Sequence, residues 1–188
     1  MTQIITDIHK PIIAKAAKGN AKAQRKLYEL YAKAMFNICY RMMNSIEDAE
    51  DMLQEVFCDA FRRLDSFRFD STFGAWIKRI TINRCINELK RRKLELDLNE
   101  EITPDHVDEE TDDINNIELK VEHIKHAMGM LPDGYRVIFS LYMLEGYDHQ
   151  EIADIMQITV STSKSQLARA KKKLTEILKA GSMQFELN

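Results

Sequence analysis

The chain has 188 residues, 45% of them hydrophobic and 30% charged, an ordinary balance for a globular protein of one large or two small domains. The net charge of −3 argues at first against nucleic acid, but the charge is unevenly placed. Residues 1–93 carry 18 basic and 11 acidic side chains, 94–118 carry 11 acidic and no Lys or Arg, and 119–188 carry 9 basic and 8 acidic.

Two basic-faced parts are thus joined by an acidic connector. The 3 prolines and 6 glycines leave long stretches free of both, and strand-like alternation is hard to find. The expected fold class is therefore all-α: two small helical domains joined by an acidic flexible linker. Cys39, Cys58 and Cys85 form no CxxC or Cys/His cluster, which favours buried reduced thiols over a metal centre. No secretory signal pattern opens the chain and no apolar run is long enough to span a bilayer. A cytoplasmic protein without membrane insertion is expected.

Pro11 suits a first helical turn, and Gly19 a helix end. A second helix is predicted from about Ala21 to Asn44, with Leu27, Leu30, Tyr31, Ala34, Met35, Ile38 and Met42 on one side. Ser45 caps a third, with Asp48 in the position that completes a capping box. Ile46, Ala49, Met52, Leu53, Val56, Phe57 and Ala60 form its apolar face.

Opposite lie Glu47, Asp48, Glu50, Asp51, Gln54, Glu55 and Asp59. The helix dipole favours acids in the first turn but not two turns further on. That face can be plain solvation, a docking face for a basic partner, or a divalent-metal site at Asp48, Asp51 and Glu55. The neighbouring helices offer chiefly Lys and Arg, which weighs against metal.

Asp65–Phe73 is a short segment rich in Phe and small polar residues, and a helix follows to about Lys93. Trp76, Ile77, Ile80, Ile82, Cys85, Ile86 and Leu89 supply its buried side. Lys78, Arg79, Asn83, Arg84, Asn87, Lys90 and Arg91 supply a basic side. Rings beside cations suit single-stranded nucleic acid, where bases stack and phosphates pair. Phe67, Phe69, Phe73 and Trp76 can equally be core, and the place of Trp76 in the apolar stripe favours that.

Residues 94–116 read as an extended or disordered acidic linker. A four-helix domain is expected next: a helix to about Met130, one from Pro132 to near Gly146, then Asp148–Leu178. That last stretch opens with Asp148 and Glu151 at capping-box spacing and continues into a longer basic helix. The pattern is that of a helix-turn-helix, whose second helix enters a DNA major groove, or of a surface helical hairpin. Gln157 occupies the turn, where Gly is usual, and Ser163 stands where Val or Ile is normally buried.

Together, DAEDMLQEVF (48–57), FGAWIKRITINRCINELKRR (73–92) and the run from Leu131 to Leu174 resemble a sigma factor of the sigma-70 family, in its extracytoplasmic-function (ECF) group. The resemblance implies a promoter-specificity subunit of RNA polymerase with no catalysis and no cofactor. Its partners would be core RNA polymerase and promoter DNA, with an anti-sigma factor a further candidate. Residues 1–93 would form the region 2-like domain, 94–116 the linker, 117–180 the region 4-like domain and 181–188 a tail.

On matching positions, Asp48, Asp51, Gln54 and Glu55 would dock on the polymerase. Phe67, Arg68, Lys78, Arg79, Asn83, Arg84, Asn87 and Arg91 would meet the minus-ten element. Thr162, Lys164, Ser165, Gln166, Arg169, Lys172 and Lys173 would meet the minus-thirty-five element. Gln166 stands where Arg is common, Ser161 and Ser163 where Gly and Val are usual, and Gln24 where Phe is usual. The alternatives carried forward are a helix-turn-helix regulator with an N-terminal sensory domain, and a helical metalloenzyme.

Overall fold

The computed structural model describes residues 8–96 and 121–185, and all regular structure among them is helical. The chain divides into two compact units between Lys93 and Leu94.

In the first unit α1 (Lys10–Ala17), α2 (Ala21–Met43), α3 (Ile46–Arg62) and α4 (Phe73–Leu96) follow one another, with a 3-10 turn at Leu64–Ser66. Local chemistry sets the ends. Gly19 adopts φ +79° after α1, where a side chain would be strained, and Asn20 then caps α2 by accepting from the Ala23 amide. Gln24, one of the departures from the family pattern, donates to the Ala16 carbonyl at 3.2 Å and so satisfies an end of α1.

The core holds Leu27, Met35, Ile38, Cys39 and Met42 of α2, the predicted stripe of α3 from Ala49 to Ala60, and Phe73, Ile77, Thr81, Ile82, Cys85 and Ile86 of α4. Several expectations are corrected. Leu30 and Ala34 are exposed, because the buried arc of α2 centres on Met35, Ile38 and Met42 and leaves Leu30 about 120° round the helix. Ile46 is exposed: it shares the angle of the α3 stripe but stands at the first helical position, ahead of the packed turns. Trp76, Ile80 and Leu89 are half-buried rather than fully inside. Of the cysteines, Cys39 and Cys85 are buried but Cys58 is exposed, on the flank of α3 away from its apolar stripe. Cys39 accompanies Cys85 in the core, and its hydrogen bond and the burial push the Cys85 thiol far up.

The second unit holds α5 (Val121–Gly129), α6 (Asp133–Phe139), α7 (His149–Met156) and α8 (Val160–Phe185). Arg136 is buried and anchors the α5–α6 turn, donating to the Leu131 carbonyl at 2.8 Å and to Asp133 at 2.6 Å. The helix expected to run on towards Gly146 gives way after Phe139 to a π turn at Ser140–Leu144, closed by Glu145 N–H to the Ser140 carbonyl. The wider turn keeps Ser140 and Leu141 inside and leaves Tyr142, Met143 and Leu144 outside.

Two boundaries move. α4 continues through Leu96 into the expected linker, and α8 continues through Phe185 into the expected tail. Otherwise the linker, and the start of the following domain at 117, lie outside the described residues.

Candidate functional site

The acidic face of α3 and the basic side of α4, read separately in the sequence, meet in the fold. Ser45 accepts from the Asp48 amide at 3.2 Å, so half of the expected capping box forms. The other half does not, because Arg92 takes the Asp48 carboxylate with two hydrogen bonds of 2.7 Å. Arg92 also donates to Glu88 at 2.8 Å, and Arg91 binds the same carboxylate at 2.7 Å. Farther along, Arg84 donates to Glu55 at 2.6 Å and approaches Asp59 at 3.5 Å.

These contacts set the protonation states. The Arg92 hydrogen bonds hold Asp48 below the usual carboxylate range, and those from Arg91 and Arg92 hold Glu88 down to about 2. Arg92 is raised by Asp48 and then Glu88, and Arg84 by Glu55. Bidentate guanidinium–carboxylate pairing is the strong form of such contacts.

A polar groove of about 400 Å³ opens beside this lattice, lined by Asp48, Asp51, Gln54, Glu55, Glu88 and Arg92 among others. The carboxylates considered for a metal are not gathered on one ion: Asp48 and Glu55 face guanidinium groups, and no metal-sized acidic or His/Cys cluster occurs among the described residues. Asp51 and Gln54 are exposed.

Arg92 was not singled out by the sequence reading. Its spacing of four from Glu88 was the available local signal; its bond to Asp48 spans 44 residues and had none.

Between the 3-10 turn and α4 lies the aromatic segment. Phe67 and Phe73 are buried, and Phe69 and Trp76 half-buried. The Phe67 ring lies 4.7 Å from Phe69, 5.2 Å from Trp76 and 6.1 Å edge-on from Phe73. Phe67, expected to meet DNA, is therefore covered by other rings, and Arg68 beside it is exposed. Phe69 adopts φ +61°. Thr72 caps α4 by accepting from the Ala75 amide at 3.2 Å.

From there Arg79, Asn83 and Asn87 are exposed at intervals of four, one row along α4 that Arg91 continues. Lys78 is half-buried, and Arg84 departs from the row towards α3.

In the second unit the capping box at α7 is complete: Asp148 accepts from the Glu151 amide at 2.8 Å, and Glu151 accepts from the Asp148 amide at 2.9 Å. Gln157 does take the left-handed turn, at φ +60°. Thr159 opens α8 by accepting from the Thr162 amide at 3.0 Å, and the two hydroxyls lie 2.8 Å apart. Ser163, fully buried, shares a 2.9 Å hydrogen bond with His149 Nδ1, so a polar pair replaces the usual apolar contact.

The His149 ring stacks on Tyr142 at 4.7 Å. Burial, with Lys164 and Lys171 nearby, depresses the His149 pKa against the opposing pull of Asp148. Leu167, Ala170, Leu174 and Leu178 form the buried side of α8. Lys164, Ser165, Lys172 and Lys173 are exposed, Lys173 pairing with Glu176 at 3.3 Å; Thr162, Gln166 and Arg169 are half-buried. The Gln166 side chain reaches towards Gly134 at the start of α6.

Residues 27–95 match the family model described as Sigma-70 region 2, and residues 122–174 match Sigma-70, region 4. The chain is 29% identical over 182 residues to the ECF RNA polymerase sigma factor SigW of Bacillus subtilis, covering 90% of this chain and 96% of that protein. It is 31% identical over 181 residues to the ECF RNA polymerase sigma-E factor of Escherichia coli K12, covering 91% and 93%. Among solved structures it resembles the sigma factor RpoE in complex with the anti-sigma factor NepR from Bartonella quintana, with a TM-score of 0.56, 24% identity and coverage of 82% of this chain and 96% of that one. It also resembles CnrH in complex with the cytosolic domain of CnrY, with a TM-score of 0.55, 25% identity and coverage of 93% and 99%.

The chain belongs to the sigma-70 family of RNA polymerase sigma factors, in its ECF group. It is a promoter-specificity subunit of RNA polymerase and not an enzyme. The reading as a regulator with a sensory first domain gives way, because the first unit matches sigma region 2.

Proposed function

We propose that the two units divide the work of promoter recognition as follows. The outer side of α3, with Asp51 and Gln54 foremost and Asp48 and Glu55 flanking them, docks on a basic surface of core polymerase. The Phe67–Phe73 segment and the row Arg79, Asn83, Asn87 and Arg91 engage the opened minus-ten element, with Arg68 and Lys78 alongside. The face of α8 bearing Thr162, Lys164, Ser165, Gln166, Arg169, Lys172 and Lys173 reads the minus-thirty-five element. The acidic linker joins the two, and the complex works in the cytoplasm. CnrH was solved bound to the cytosolic domain of CnrY, which supports a protein regulator, in the manner of an anti-sigma factor, as a further partner.

The observation that carries the reading is the split of charge on the α3–α4 pair. Asp48 and Glu55 are engaged by Arg92 and Arg84, while Asp51 stands exposed at the groove. A carboxylate without a guanidinium across it is the one available to a cation from outside. Asp51→Lys is therefore expected to weaken core binding at least about tenfold, since a like charge against a basic surface costs several kcal/mol, while leaving the melting temperature unchanged. Glu55→Lys is expected to weaken binding and to lower the melting temperature, because Arg84 loses its nearest partner and meets a like charge instead. Titration of labelled core enzyme, with thermal melts alongside, separates the two; wild-type affinity for Asp51→Lys would sink the docking assignment.

A further inference from the structure

Helix α1 precedes the residues that match region 2, and no role described so far involves it. Its first turn is nevertheless tied into the aromatic segment from two sides. His9 Nδ1 and the Tyr31 hydroxyl share a 2.8 Å hydrogen bond, with the rings edge-on at 5.7 Å. Tyr31 lies 5.0 Å from Phe73, Phe73 lies 6.1 Å from Phe67, and Phe67 lies 4.7 Å from Phe69. Lys10 closes the circuit: its ammonium stands 5.1 Å from the centre of the Phe69 ring.

Phe69 is the member under strain. At φ +61° a bulky side chain meets its own backbone, a strained state that persists only where the surroundings impose it. Packing against the tilted Phe67 ring imposes it from one direction. A cation over the ring imposes it from another, with a worth equivalent to about two- to fivefold in an equilibrium at a part-exposed position.

We propose that Lys10 is a positioning residue for promoter opening. Anchored through His9 and Tyr31, it holds Phe69 in its left-handed turn, so that the Phe67–Phe73 segment and the exposed Arg68 are set before DNA arrives. The inference rests on the reading that this segment opens the minus-ten element. Lys10 acts through the ring and not as a phosphate contact of its own.

The test uses holoenzyme reconstituted with the full chain on a promoter it transcribes, following permanganate reactivity of unpaired thymines with time. Lys10→Gln is expected to slow opening about two- to fivefold, and Lys10→Arg, which keeps a cation over the ring, to restore it. Phe69→Leu is expected to slow opening also, and the Lys10→Gln/Phe69→Leu double variant to be no slower than Phe69→Leu alone. Core affinity is expected to stay at its wild-type value for Lys10→Gln, and melting temperature, measured for each variant, to fall by no more than a few degrees, because Lys10 is exposed and only its contact with the ring is lost. Wild-type opening by Lys10→Gln beside a slow Phe69→Leu would overturn the role of Lys10 alone. Multiplying defects in the double variant would overturn it too, by making Lys10 a separate DNA contact. Wild-type opening by Phe69→Leu would instead remove the reading of the segment on which the inference stands.

Discussion

Glu88 shows how a single side chain can carry more than its position suggests. On the sequence it is one acid among the cations of a basic helix. In the fold it receives both Arg91 and Arg92, and Arg92 goes on to Asp48. Its folded pKa of about 2 lies below the ordinary 4.5, so its contribution to stability is complete above about pH 4.5 and is lost as pH falls towards 2. Asp48 is depressed in the same sense. The guanidinium partners are part-exposed and screened, which limits the gain to about 1 kcal/mol. Glu88→Gln is expected to lower the melting temperature at pH 7 and to flatten its decline between about pH 5 and pH 3, as followed by circular dichroism. An unchanged acid slope would mean that the lattice adds nothing to stability.

Among the elements, helix ends were the most legible. Gly19, Ser45 and Asp148 each announced a boundary through chemistry contained within a few residues, and the structure places ends there. The α3 stripe was equally readable, since six of its seven apolar positions are buried at helical spacing. What local pattern could not show was pairing across helices. Arg84 read as part of a basic face and Asp48 and Glu55 as part of an acidic one, with nothing local to show that Arg84 meets Glu55 and Arg92 meets Asp48. The π turn was also hidden: its apolar run reads as helix, and only the packing of Ser140 and Leu141 selects the wider turn.

The α7–α8 pair illustrates the same limit. Ser163 stood out as a departure, but its companion His149 did not. Because burial depresses the His149 pKa, the stability of this pair is complete above the ordinary value of 6.5 and falls as pH drops below it. His149→Phe keeps a ring against Tyr142 but removes the titration. It is expected to abolish the part of the thermal-stability slope between about pH 7 and pH 5.5 that belongs to this imidazole. A slope equal to that of the wild type would assign the titration elsewhere.

At the scale of the whole molecule, charge decides how the chain meets DNA. A net −3, with 11 acids and no Lys or Arg in residues 94–118, opposes approach to a polyanion, although residues 1–93 are basic. Helix α8 adds only a short cationic run, of which Lys173 is paired to Glu176. The free chain is therefore expected to bind promoter duplex at least about a hundredfold more weakly than the holoenzyme at the same salt concentration, measured by fluorescence anisotropy. Equal affinities would mean that the polymerase is not needed to bring the chain to DNA.

The unbroken run of α4 has a consequence for how such a protein can be altered. From Phe73 to Arg92 the helix spans about 29 Å at 1.5 Å per residue, with the aromatic segment at one end and the Arg92 clasp on α3 near the other. With a relative that lacks the matching partners, a chimera that exchanged α3 alone would strand Arg84 and Arg92, while one that exchanged α4 alone would strand Asp48 and Glu55. The smallest heritable block is the pair with the segment between them, residues 46–96, so the two faces must be traded between relatives together.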